Sequence, residues 1–169
     1  MKHLKTLLFA AILFVGATAM MNAQSKVAHI NTTQLVEAMP AMKNAQAELE
    51  KLQKTYEAEI KTMATEFDNK VKQYRAEADN QTEEENAKRA QEVQTMEQSI
   101  RQYQGQAQQD LQKKEAELLK PIFEQAKAAI QRVAKAQGIQ YVLDSTQGSG
   151  VIVADGKDLM PDVKKELGI

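Results

Sequence analysis

The sequence predicts an α+β chain that is mostly α, in which a long antiparallel coiled-coil hairpin stands on a small β-rich body. Ala41 to Gln104 is a run of 64 residues without glycine or proline, made almost wholly of good helix formers. Its apolar positions form a narrow row: Leu35, Ala38, Met42, Ala45, Leu49, Leu52, Tyr56, Ile60, Met63, Phe67, Val71, Tyr74 and Ala78. Steps of three and four in so narrow a row make a coiled-coil seam, not the flank of a globular core. Short β-like segments lie on either side of the helical run.

The N-terminus reads as a secretory signal peptide. Met1-Lys2-His3-Leu4-Lys5 supplies a positive start and Thr6 to Val15 an apolar stretch too short to span a bilayer. Ala17-Thr18-Ala19 or Met21-Asn22-Ala23 offers the small-residue cleavage site, after Ala19 or Ala23. No cysteine follows, so neither a lipid-anchored cysteine nor a disulfide is expected. The mature chain is expected to begin near Gln24 as a soluble exported protein.

Lys26-Val27-Ala28-His29-Ile30 reads as a strand, and Asn31-Thr32-Thr33 offers caps for the ascending helix. Beyond Ala78 the apolar row lands on Thr82, Glu85, Arg89 and Glu92, so the seam loses phase and the chain turns. Thr82 can cap a new helix, with Glu85 closing a capping box and Glu83-Glu84-Glu85 suiting a helix N-terminus. A hairpin demands facing residues whose numbers add to a near-constant. Tyr74 with Ala87, Val71 with Ala90, Phe67 with Val93, Met63 with Met96, Ile60 with Ile100, Tyr56 with Tyr103, Leu49 with Leu111, Met42 with Leu118 and Ala38 with Ile122 all fall between 159 and 161. Arms of about 40 residues would project roughly 60 Å. Pro40 and Pro121 obey the same rule, which predicts helices weakened at one level; alternatively, each proline opens a separate helix.

After Gly138, Ile139 to Asp144 reads as a second strand, Gln147-Gly148-Ser149-Gly150 as a turn and Val151 to Ala154 as a third strand. Pro161 then opens a last short helix through Leu167. Residues 1–23 are thus the signal peptide, 24–40 and 119–169 the body, and 41–118 the hairpin, with its tip near 79–85. Three short strands from one chain cannot make a well-buried sheet, so several copies are expected to pool them. Candidates for that shared body are Val27, Ile30, Val142, Leu143, Val151 and Val153.

Charge and chemistry narrow the function. Without the signal the chain carries 20 basic and 23 acidic residues, and Ala41 to Asp110 holds 10 basic against 14 acidic. Acidic arms offer no basic stripe to nucleic acid and no attraction to anionic lipid. Gly156-Lys157 lacks the rest of a phosphate loop, and His29, the one mature histidine, has no cysteine or second histidine with which to share a metal. The paired carboxylates Glu48 and Glu50 lie on exposed helix with no pocket to shift a pKa. The reading is a non-enzyme without catalytic residues, cofactor or metal.

These residues carry a resemblance. Lys26-Val27-Ala28-His29-Ile30-Asn31 leading into a helix, two charged arms, Pro121-Ile122, then Ala128 to Lys135 and Gly138 to Asp144, resemble the Skp/OmpH family of periplasmic chaperones. The likeness covers essentially the whole mature chain, its specificity lying in Val133 to Asp144 and in Asp158-Leu159. It implies a jellyfish-like homotrimer whose helical tentacles enclose unfolded outer-membrane β-barrel proteins without ATP, on the way to outer-membrane assembly. Known members are basic whereas this chain is acidic, which speaks against lipopolysaccharide or membrane binding. Met160-Pro161 also replaces the threonine cap common in the family.

A holdase needs many weak contacts rather than one deep pocket. Candidate client contacts on the arms are Tyr56, Met63, Phe67, Tyr74, Met96 and Tyr103, although their seam spacing better suits residues that only zip the arms together. The alternative function is a structural coiled-coil spacer or adaptor of the cell envelope.

Overall fold

The computed structural model describes residues 26–169, so the signal peptide and its cleavage site lie outside the described residues. The elements are strand β1 (Val27–Ile30), helix α1 (Thr32–Ala38), helix α2 (Pro40–Glu77), a 3₁₀ turn (Ala78–Asn80), helix α3 (Glu83–Ala136), strands β2 (Tyr141–Asp144) and β3 (Lys157–Asp158), and helix α4 (Met160–Leu167). They divide into two compact units. One holds the described residues up to Leu35 with Ala126–Ile169, the other Val36–Gln125. The fold is the mostly helical α+β class with a long hairpin and a small sheet that the sequence predicts.

In the first unit β1 is the central strand, flanked by β2 and β3 in the order β2-β1-β3. Both pairings are parallel: Ala28 registers with Val142 and Lys157, and His29 with Leu143 and Asp158. Side chains alternate across such a sheet. Ala28 and Ile30 are buried on one face, against a core that includes Leu35, Ala129, Leu159 and Val163, while Val27 on the other face stays open. Gly138 takes a φ of 64°, a conformation favourable only without a side chain, and turns the chain out of α3 towards β2. There the Ile139 amide donates back to the Ala134 carbonyl at 2.9 Å.

The expected third strand is not formed. Val151 to Ala154 is irregular backbone, with Ile152 97% and Val153 69% exposed, and the third strand of the sheet is the two-residue Lys157–Asp158. Leu159 and Val163, both fully buried, set the chain's course instead: they fill the core, and the residues just before them pair with β1.

In the second unit, Met39 separates α1 from α2 with φ −71° and ψ 129°, the extended conformation that a following proline imposes. Pro40 therefore opens a helix, whereas Pro121 lies inside α3, which runs on through it. The two prolines do not act alike, so neither sequence expectation holds for both. A first-turn proline gives up an amide that has no helical partner, while an interior one forfeits a hydrogen bond that a 54-residue helix absorbs.

At the tip the Thr82 hydroxyl accepts the Glu85 amide at 3.2 Å, as a cap should. The capping box stays half made, because the Glu85 carboxylate turns to Arg89 at 3.6 Å. The Asn86 side-chain amide donates to the Ala78 carbonyl at 2.9 Å, a second bond to an oxygen that also accepts the Gln81 amide at 3.2 Å, and so ties the start of α3 to the 3₁₀ turn.

Candidate functional site

The arms are joined by a seam that is only half closed. Along it Ala45 and Ala107 are 4% exposed, while the larger residues, including Leu49, Tyr56, Ile60, Met63, Phe67, Val71, Met96, Ile100 and Tyr103, remain partly open. Two helices shield a large side chain from two sides only, whereas an alanine disappears between them. The Tyr56 and Tyr103 rings meet edge to face at 5.9 Å, as their numbers require.

Polar rungs flank the seam. The Lys114 ammonium lies 2.7 Å from the Glu48 carboxylate, the Tyr103 hydroxyl donates to Glu59, and Lys70 lies 3.1 Å from Glu92. Glu48, Glu59 and Lys70 stand about three turns apart on α2, matched by Lys114, Tyr103 and Glu92 on α3. The Tyr56 hydroxyl donates to Asp110 at 3.2 Å; partial burial, with that carboxylate beside it, raises the phenol's pKa. The Tyr74 hydroxyl donates to Glu92, and that bond, with Lys70, lowers the carboxyl's pKa.

The pairing near the tip departs from the expected one. Ala87 and Ala90 are exposed, so they do not face Tyr74 and Val71. Arg89 lies inward instead, its guanidinium carbon 4.6 Å from the Tyr74 ring centroid and its Nη2 2.9 Å from Glu77. An arginine covers an aromatic ring with its stem and plane while keeping a charge partner, which a methyl group cannot do. Reading Arg89 as a polar break in the row missed this. The signal that could have found it is a lone arginine opposite a tyrosine and a glutamate.

The six arm candidates therefore fall into two groups. Tyr56, Tyr74 and Tyr103 bind carboxylates of the opposite arm through their hydroxyls. Met63 and Met96 line an open groove of about 540 Å³ between the helices, together with Ile100 and Glu66, while Phe67 is half-buried in the seam.

The body candidates also separate. Ile30 is buried in the chain's own core and Val142 is half-buried on the same face. Val27 and Leu143 are 48% and 45% exposed on the opposite face, with Tyr141 beside Val27 in register. Val151 is half-buried and Val153 exposed, both outside any strand.

A polar latch closes the end of this sheet. Asp144 accepts hydrogen bonds from the Thr32 amide and hydroxyl at 3.2 and 2.7 Å, and from the Thr146 amide and hydroxyl at 3.0 and 2.7 Å. Burial opposes its ionisation, but these donors prevail and bring its pKa down to about 2. Asn31 caps α1 by accepting the Gln34 amide at 2.9 Å. The His29 ring lies 3.3 Å from the Ser145 hydroxyl and 3.2 Å from the Gly156 carbonyl. No group of His, Cys, Asp or Glu suited to hold a metal occurs among the described residues, and no helix there is long and apolar enough to cross a membrane.

A small parallel sheet with helical packing and a long helical hairpin zipped by a half-open seam define a mostly helical α+β protein. Residues 26–167 match the family model described as outer membrane protein (OmpH-like), and the chain belongs to that family. The fold is also that of a crystal structure of a protein from Caulobacter crescentus CB15 described as OmpH-like. It superposes with a TM-score of 0.76 at 20% identity, over 86% of this chain and 85% of that one. A search of curated proteins finds no match.

Proposed function

We propose that this chain is a non-enzymatic, ATP-independent holdase chaperone of the periplasm, exported by its N-terminal leader and assembled as a homotrimer. It keeps unfolded outer-membrane β-barrel proteins from aggregating on the way to outer-membrane assembly. The observation that carries this reading is the half-open seam: large, adaptable apolar side chains lie partly exposed along two long helices. Several such arms around one client offer many weak contacts at high effective concentration, which retains a chain while each contact exchanges. Membership of the OmpH-like family agrees with it.

Assembly is supported by the body. Val27, Tyr141 and Leu143 leave an apolar patch on a sheet of three short strands, and the strand-forming residues Val151–Ala154 stand unpaired in the chain. A second copy can cover both; three copies follow from the family resemblance. The test is to dilute a urea-unfolded outer-membrane barrel into buffer with the purified mature chain and to follow light scattering. Suppression near one trimer per barrel is expected. Unchanged aggregation would leave the envelope-spacer reading in its place.

A further inference from the structure

We infer that the groove between the arms at Met63, Met96 and Ile100 is a docking place for an extended chain segment in which apolar side chains alternate with lysine or arginine. This inference rests on the holdase reading and gives it a site and a preferred client chemistry. The groove runs along α3 from Lys88 to Ile100, roughly 18 Å, the length of about five residues of extended chain. Its volume, about 540 Å³, is enough for the two or three side chains that such a segment directs to one face. Met96 and Ile100 stand one helical turn apart, close to the spacing of alternate residues in a strand. Two methionines suit a site that takes many sequences, because their unbranched thioethers repack around different shapes.

The rim decides the charge. Lys88 is paired with Glu84 at 2.9 Å, and Glu92 is held by Lys70 and Tyr74. The hydroxyls of Thr95 and Ser99 donate to their own helix, to the carbonyls of Gln91 and Thr95, each at 2.9 Å. Among the described residues Glu66 is the one charged side chain of the lining that makes no ion pair. The groove is therefore an apolar floor, a wall whose two hydroxyls are spent on their own helix with the Gln91 side chain beside them, and one unpaired carboxylate, set in arms with an acidic excess. A cation beside an apolar residue meets all three, whereas an acidic segment would bring a like charge to Glu66.

The test uses the full mature chain and three short peptides: leucine alternating with lysine, leucine alternating with glutamate, and a block isomer of the first. Fluorescence anisotropy at low salt should show the lysine peptide binding about tenfold more tightly than the glutamate peptide, and more tightly than its block isomer. A benzophenone in the lysine peptide should cross-link to Met63 or Met96. Glu66→Lys, a substitution on an exposed helix face, should bring the lysine-to-glutamate ratio to one or below with helicity unchanged. Equal binding of the peptides, cross-links only outside the groove, or an unaltered ratio in the variant would each overturn the inference. Barrel aggregation measured alongside separates the two readings: suppression by a chain that fails the peptide criteria leaves the holdase standing without this groove, and the converse leaves the groove without the holdase.

Discussion

Among single residues, Asp144 does the most to tie the body together. Its carboxylate joins the first turn of α1 to the end of β2 and to the turn that follows. Asp144→Ala removes four donated bonds at once and leaves Thr32 without its partner, so unfolding by urea should show a loss of about 1 kcal/mol, the residue's exposure to solvent holding the figure down. The same residue sets a pH dependence. Its folded pKa, about 2, lies below its ordinary 3.8, so its contribution is fully present above that ordinary value and is lost as pH falls from about 4 towards 2. The wild-type chain should lose stability more steeply than the alanine variant across that window. Parallel slopes would show that the carboxylate is not held in this way. The Asx-type sequence Asp144-Ser145-Thr146 announces a turn, but nothing local says that the turn closes on Thr32, more than a hundred positions earlier.

The arms turn on which alanines lie inside the seam. Ala107 is buried to 4% exposure between the helices, whereas Ala87 and Ala90 face solvent. Ala107→Leu should therefore cost about 1–3 kcal/mol through overpacking, while Ala87→Leu and Ala90→Leu should stay within about 0.5 kcal/mol of wild type. Thermal unfolding of the three variants checks this; equal losses would restore the pairing of Ala87 with Tyr74. Enclosure by the arms can be tested apart from the groove. Removing Gln46–Leu52 with Gln109–Glu115 takes one heptad from each arm at matched height and brings Glu117 and Leu118 into the places of Asp110 and Leu111. Helicity should survive, and with arms shortened by about 10 Å, capture of large barrels should fail before that of small ones. Equal capture of every size would place client binding elsewhere than inside the arms.

The molecule as a whole depends on what covers the open face of its sheet. Val27 and Leu143 are about half exposed in the single chain, and a charge at such a position normally changes stability little. If copies pack there, Val27→Asp with Leu143→Asp buries two unpaired charges at each contact, at a cost of several kcal/mol apiece. Native mass measurement should give three copies for the wild type and one for the variant, with arm helicity kept. A variant that stays trimeric would move the assembly surface to the arms or to Val151–Ala154.

Much of this fold was legible in the sequence, and unevenly so for a physical reason. Helix formation depends on neighbours three and four residues away, so a run without glycine or proline and a narrow apolar row suffice to determine both arms, the turn near 80 and the meeting of Tyr56 with Tyr103. Met63 and Met96 were legible as seam residues for the same cause, but the groove they share with Glu66 depends on how far apart two helices stand, which no one-dimensional pattern records. Strand order is more remote still. Val151–Ala154 has the better strand composition, yet Lys157–Asp158 takes the place beside β1, because Leu159 and Val163 fill the core and carry the preceding residues with them. Likewise Arg89 is drawn inward by a tyrosine and a glutamate on the other arm. By itself the sequence determined the helices and their pairing; only the tertiary structure decided the parallel sheet, the phase at the tip and the groove, since each depends on contacts between residues far apart in the chain.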